Sequence, residues 1–384
     1  MQKEKNIFER NPGLTLIILL LLIIIILDFL FGLIFVQENF QSFRIQKYYY
    51  HHGLRPNRKG YTRWSINIYP MITNSLGFRD ETTRKINLKP DKRRILFLGD
   101  SHTEGVDLPF DKTFTGILAS KAKEKDTEIL SAAVVSYSPK IHYLIAEYLM
   151  ENKGFQCDEI YVFIDISDIQ NELVYENFNP GKYSFIKDWW INFKNFSNRR
   201  SLIISTIKET KDKKGKEEFF SKSKLFTDRL EGNQLAETFS TDLYYSFFTH
   251  FDDNVMLANP RFHGVGDWFY DEEFIKVAER GIKLGQSNIL KLKQLCDRHN
   301  IKLTIAVHPW HGQITRHETN GYYVQSWQDF ARTNNIGFIN LFPLFINEEN
   351  PQAVIKKYYI YNDNHWNEKG HQKVAGKLEE NVWE

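Results

Sequence analysis

Leu14 to Val36 is a run of 23 residues drawn almost wholly from Leu, Ile and Phe. At about 1.5 Å per residue a helix of that length spans roughly 35 Å, enough to cross a hydrocarbon core with some tilt. A cleaved leader has a shorter apolar stretch and small residues at its cleavage site. Here Gln37-Glu38-Asn39-Phe40 follows. The run therefore reads as an uncleaved transmembrane anchor at 14–36, preceded by a tail at 1–13. Lys3, Lys5 and Arg10 lie before it, but Arg44, Lys47, Arg55, Arg58 and Lys59 lie after it. Charge alone therefore does not fix its orientation. The short leading tail favours a cytoplasmic N-terminus, with the remainder of the chain on the extracytoplasmic (periplasmic) side. Asp28 interrupts the run, at a cost of about 2.5–3.5 kcal/mol in mid-helix. It reads either as a tolerated charge or as a contact with a second membrane protein.

The remaining chain is long enough for one large domain with an insertion. Fifty Lys and Arg balance forty-eight Asp and Glu, so nothing in the charge points to a nucleic-acid partner. Two cysteines, Cys157 and Cys296, offer neither metal spacing nor a disulfide framework and read as buried free thiols. Residues 37–90 form a lead-in with many turn signals and few periodic segments. From 91 the pattern alternates. Ile95-Leu96-Phe97-Leu98 is a buried strand, 113–125 a helix, Ile129-Leu130 the start of a strand, 139–153 a helix and 160–166 a strand. Residues 173–270 break the alternation and read as a long insertion, with a charge run from Lys208 to Glu218. The alternation resumes with a helix over 272–299, a strand over 303–307, a helix over 322–334, a strand over 337–340 and a helix over 368–380. The expected fold is α/β: a three-layer, doubly wound parallel sheet within 91–384. Such sheets hold ligands at the carboxyl ends of their strands.

Gly99-Asp100-Ser101-His102-Thr103-Glu104-Gly105 lies at such an end. Glycine permits a sharp turn, and a serine in that turn can present both its hydroxyl and its own N–H. Near the other end of the domain stands Asn362-Asp363-Asn364-His365-Trp366-Asn367. A serine nucleophile needs a neighbouring base, and that base needs a carboxylate to orient it. On a loop, Asp363 and His365 can face the same side. His308-Pro309-Trp310-His311 follows another inferred strand, where Trp310 either stacks on a sugar ring or packs within a loop. Asp168 and Glu172 read as loop and cap residues, and His371 as a structural residue of the last helix. Neither metal-ligand clusters nor phosphate loops appear, so no cofactor is expected.

These motifs resemble the SGNH (GDSL-like) hydrolase superfamily. The resemblance covers about 94–172 and 283–380, with a weaker lead-in at His52-Gly53-Leu54 and Asn74-Ser75-Leu76-Gly77-Phe78-Arg79. It is nearest to bacterial membrane-anchored members that end in Asp-x-His-Trp-Asn. The resemblance implies Ser101 as nucleophile, His365 as base and Asp363 as the orienting acid. It implies an oxyanion hole from Ser101, Ala133 and Ser167. Ala133 stands where the family's second block has glycine. Ser167, in Asp165-Ile166-Ser167-Asp168, stands where the third block has asparagine. The terminal acid is Asp363, two residues before the base, while Asn362 holds the position that is often acidic. The implied activity is that of a serine esterase or O-acyltransferase on acylated cell-envelope glycans or small esters. A membrane-bound O-acyltransferase is an implied partner. A module that has lost catalysis and binds glycan or scaffolds such a complex is the alternative.

Overall fold

The computed structural model describes residues 7–36, 43–64, 67–207, 210, 275–347, 350–361 and 363–383. In chain order, a single helical turn at Ile7–Arg10 leads into helix α1 (Pro12–Phe35). Two antiparallel hairpins follow, β1 (Arg44–Lys47) with β2 (His51–Leu54), and β3 (Lys59–Trp64) with β4 (Asn67–Ile72). Next come β5 (Arg93–Leu98), α2 (Ser101–Glu104), α3 (Phe114–Ala122), β6 (Thr127–Ser131), α4 (Pro139–Glu147) and β7 (Glu159–Ile164). Then α5 (Asp168–Tyr175), α6 (Phe185–Arg200), α7 (Ile275–Arg298), β8 (Lys302–Val307), α8 (Tyr322–Thr333), β9 (Gly337–Asn340), α9 (Pro351–Tyr358) and α10 (Glu368–Val382) complete the run. The described residues fall into two compact units. One holds α1 with the segment from Phe185, and the other holds Phe40–Ser184 with the C-terminal part of the chain.

The larger unit is built on a five-stranded, all-parallel sheet in the order β6-β5-β7-β8-β9. Its strands read as continuous apolar runs because helices cover both faces. Ile95, Leu96, Phe97 and Leu98 are fully buried, as are Ile160, Val162, Ile305 and Val307. Helices α3 and α10 pack together on one side, while α4 and α7 pack together on the other. This is the expected three-layer α/β arrangement. The strand order reverses across β5, between β6 and β7, so the carboxyl end of β5 is the crevice of the sheet.

The expected helices and strands of the alternating region lie within a few residues of their observed bounds. The lead-in differs. It contains two hairpins that its sequence does not announce, because Gly60 and Pro70 interrupt period-two patterning in β3 and β4. Cys157 and Cys296 are buried free thiols. Of the expected insertion, residues 173–207 and 210 are described, and the charged residues of the run from Lys208 to Glu218 lie outside the described residues.

The smaller unit answers the question posed by Asp28. Its carboxylate accepts the backbone N–H of Ile203 at 2.8 Å. One partner of this carboxylate therefore comes from the same chain.

Candidate active site

The turn after β5 is tight on both sides. A Cβ on Gly99 would fall 2.2 Å from the Thr103 hydroxyl, and Gly105 adopts φ +71°, a conformation that suits glycine. Asp100 accepts the His102 N–H at 3.0 Å and so caps α2. The turn leaves Ser101 at the crevice. Its Oγ lies 2.7 Å from His365 Nε2 and 3.0 Å from Asp100 Oδ2.

The terminal loop brings the rest. Asp363 Oδ1 accepts from His365 Nδ1 in a short contact, and from the His365 backbone N–H at 2.9 Å. A carboxylate only accepts, so the imidazole carries its proton on Nδ1 and turns the Nε2 lone pair toward the serine. Burial pushes the Asp363 carboxyl up, but the neighbouring His365 and the Trp64 indole N–H outweigh it and hold the group below the usual carboxylate range. Three residues 264 positions apart at their extremes thus form one hydrogen-bonded line.

Trp64, at the end of β3, is a member of the site that the sequence reading did not include. Its Nε1–H donates to Asp363 Oδ2 at 2.8 Å, and its ring meets the His365 ring edge-on at 4.9 Å. Only the presence of a tryptophan in the lead-in hinted at it. The same lead-in supplies Arg79, which is buried and donates to the carbonyls of Glu104, Gly105 and Leu108. Arg79 thereby clamps the far end of the serine turn. Glu104 is fully buried, takes a forked ion pair from Arg44 at 2.8 and 3.1 Å, and accepts the Val135 N–H at 2.8 Å. This links the serine turn to the loop after β6, where Ala133 stands. Among the described residues, the N–H groups of Ser101 and Ala133 donate to no backbone carbonyl.

Ser167 is the exception. Both its N–H and its hydroxyl donate to Asp165 Oδ1, at 2.7 and 2.6 Å. A hydroxyl has one proton, so the expected third oxyanion donor is instead a brace for Asp165. Ser167→Ala is accordingly expected to cost about 1–2 kcal/mol of stability and to leave kcat within about twofold of wild type. Thermal unfolding and steady-state rates on one preparation check this, and a fall in kcat with an unchanged midpoint would restore the donor role.

Asp165 anchors a second buried pair. Its Oδ2 lies 3.2 Å from His102 Nδ1, and His102 Nε2 donates to the Asn364 carbonyl at 3.0 Å. His102 follows the nucleophile and Asn364 precedes the base, so this one ring ties the two halves of the site together. Burial lowers the His102 pKa, but the carboxylates of Asp165 and Asp100 more than reverse that and raise it. Burial likewise raises Asp165, while His102 and His308 hold it low. The pair is ionic. With its raised pKa, His102 contributes stability that is fully present below its ordinary value of about 6.5 and lost as pH rises through its folded-state value. With its depressed pKa, Asp165 contributes stability that is present above about 3.9 and lost on acidification. The thermal midpoint should therefore plateau between these limits. The double variant His102→Gln/Asp165→Asn should show weaker pH slopes on both sides, and unchanged slopes would deny the pair its charge.

His308, after β8, lies 3.8 Å from Asp165, and burial pushes it well below the ordinary histidine range. His102, Asp165 and His308 form a trio of ligand-type groups that sequence spacing did not reveal, since they come from three strand ends. Trp310 is 6 % exposed and packs near His102, which fits the loop-packing alternative and not an open sugar platform. His371 Nδ1 accepts the Phe114 N–H at 3.1 Å and is structural, as expected. Glu172 accepts from Ser138 Oγ, the Lys140 N–H and Asn288 Nδ2, which caps α4 and ties it to α7. Asp168 is buried beside Asp165, and burial raises its carboxyl well above the usual range.

No protein-family model matches this chain, and no curated protein matches it. Several solved structures are similar. An acetyl xylan esterase shares 15% identity over 75% of this chain and 99% of its own, with a TM-score of 0.38. An acetylxylan esterase from Geobacillus stearothermophilus shares 11% over 78% and 98%, with a TM-score of 0.37. A GDSL-like lipase from Bacteroides thetaiotaomicron shares 10% over 78% and 92%, with a TM-score of 0.36.

Proposed function

We propose that this chain is a membrane-anchored serine esterase or O-acyltransferase that works through an acyl-serine intermediate. The observation that carries the reading is the line Ser101 Oγ, His365 Nε2, His365 Nδ1, Asp363, completed at 2.7 Å between hydroxyl and imidazole. His365 takes the Ser101 proton as Oγ attacks the acyl carbon. The tetrahedral oxyanion is held by the N–H groups of Ser101 and Ala133. His365 then returns the proton to the leaving alkoxide. In the second half-reaction it activates the acceptor, and the acyl group leaves the serine. Water as acceptor gives hydrolysis, while a sugar hydroxyl gives acyl transfer.

Ser101 is only 5 % exposed and His365 only 8 %. A mouth this closed suits a small acyl group, acetyl first. The apolar helix α1 and the resemblance noted above support a cell-envelope glycan as the carrier of that ester, with the catalytic domain on the extracytoplasmic side and a membrane-bound O-acyltransferase as partner. A complete, correctly oriented triad speaks against a module that only binds.

The test is intact-mass analysis after exposure to a fluorophosphonate. An adduct on Ser101, absent from His365→Ala, is the expected result. A chain that stays unlabelled while folded would defeat the reading. With an acetyl donor, added oligosaccharide that becomes acetylated identifies the transferase, and free acetate alone identifies the esterase.

A further inference from the structure

Helix α1 has a mean hydropathy of 3.3 over its most apolar stretch and is exposed nearly all round, with Gly32 its one buried residue. What buries Gly32 is the end of α6. A Cβ at Gly32 would fall 1.8 Å from the Arg200 carbonyl oxygen, so the two backbones touch. One turn away, Phe29 stacks on Phe196 at 5.5 Å, and Asp28 accepts from Ile203. All three contacts lie in the last turns of α1, toward its C-terminal end.

The sequence of α6 gives this junction a direction. At about 100° per residue, Phe185, Ile186, Trp189, Trp190, Phe193 and Phe196 fall within an arc of about 140°. Lys187, Asp188, Asn192, Lys194, Asn195 and Arg199 occupy the opposite arc with Ile191, while Arg200, at the very end of the helix, falls on the apolar arc. A helix of a soluble domain turns its apolar arc inward. Here that arc faces out: Phe185 is 74 % exposed, Ile186 76 %, Trp189 55 % and Trp190 59 %. Residues 202–207 continue the pattern with Ile203, Ile204 and Ile207 exposed. Ser197, the buried residue of α6, and Phe196, which stacks on α1, lie on this same arc. The face that meets α1 is thus the face left open farther along. Whatever medium surrounds α1 also covers that face.

We propose that α6, with residues 202–207, is a second membrane-contacting element that lies in the headgroup region of a lipid bilayer. It presents Trp189, Trp190 and their apolar neighbours to the acyl boundary and its Lys and Arg side to the phosphates. This inference rests on the reading of α1 as a membrane span. The polar arc bars α6 from crossing, because lipid offers its charges and amides no partners. A wide apolar arc opposite Lys and Arg is the composition of an in-plane helix, and tryptophan collects at the depth where a span ends. The last turns of α1 provide that depth, and the close approach at Gly32 pins α6 there.

The test uses the full chain reconstituted in vesicles of phosphatidylcholine and phosphatidylglycerol, with acyl chains brominated at shallow or deep positions. The readout is the difference in tryptophan quenching between wild type and Trp189→Phe/Trp190→Phe. Shallow bromine should quench this pair more than deep bromine, and the double variant should lose that share of the quenching while keeping wild-type turnover of a soluble ester. A chain that floats with vesicles yet shows no quenching of this pair overturns the inference and leaves α1 as anchor, with a protein partner on the open face of α6. A folded, active chain that does not float overturns the anchor and the inference together, with the esterase reading untouched.

Discussion

Ser101→Ala is expected to reduce ester turnover to background, a loss of about 10⁴–10⁶ in kcat, with the fold intact. The side chain is small, and among the described residues its hydroxyl reaches His365 and Asp100, to one of which at a time it donates its single proton. Deleting it removes the nucleophile and opens little space. His365→Ala should fall as far, because neither member works without the other. For the same reason, the double variant should be no slower than either single one. The assay is p-nitrophenyl acetate hydrolysis alongside thermal unfolding. Turnover within tenfold of wild type in either variant would remove that residue from the mechanism.

Asp363→Asn is expected to cost about 10⁴ in kcat with little change in KM. The carboxylate now accepts on both oxygens, from His365 and from Trp64. An amide that keeps its oxygen on the Trp64 N–H turns its NH₂ toward His365 Nδ1. That nitrogen must then accept, which moves the ring proton onto Nε2, where it faces the serine hydroxyl and blocks its deprotonation. Trp64→Phe, which removes one donor to Asp363 and keeps an edge-on ring, should cost far less. A loss of under tenfold in Asp363→Asn would show that the imidazole finds its tautomer without the carboxylate.

Strands β5, β7 and β8 were legible because a strand covered on both faces must be apolar throughout, and such runs stand out. Ser101, Asp363 and His365 were legible as local motifs. What escaped were contacts between distant segments. Trp64 meets Asp363 across 299 positions and Arg44 meets Glu104 across 60, and no local pattern encodes either. The hydrogen bond of Ser167 to Asp165 was hidden for a related reason. Its position in the third block fits a donor, but the nearest acceptor is its own neighbour Asp165, and a two-residue reach wins over a longer one. The hairpins of the lead-in were obscured by Gly60 and Pro70.

The separation of nucleophile and base also sets a clock. Ser101 leaves the ribosome 264 residues ahead of His365. At about 5–20 residues per second, that is roughly 13–50 s of synthesis. Throughout this interval the growing chain carries a serine with no base to activate it. Under the proposed mechanism, chemistry should therefore begin only after the terminal loop has docked against β3 and the serine turn, and every product truncated before Asp363 should be catalytically silent.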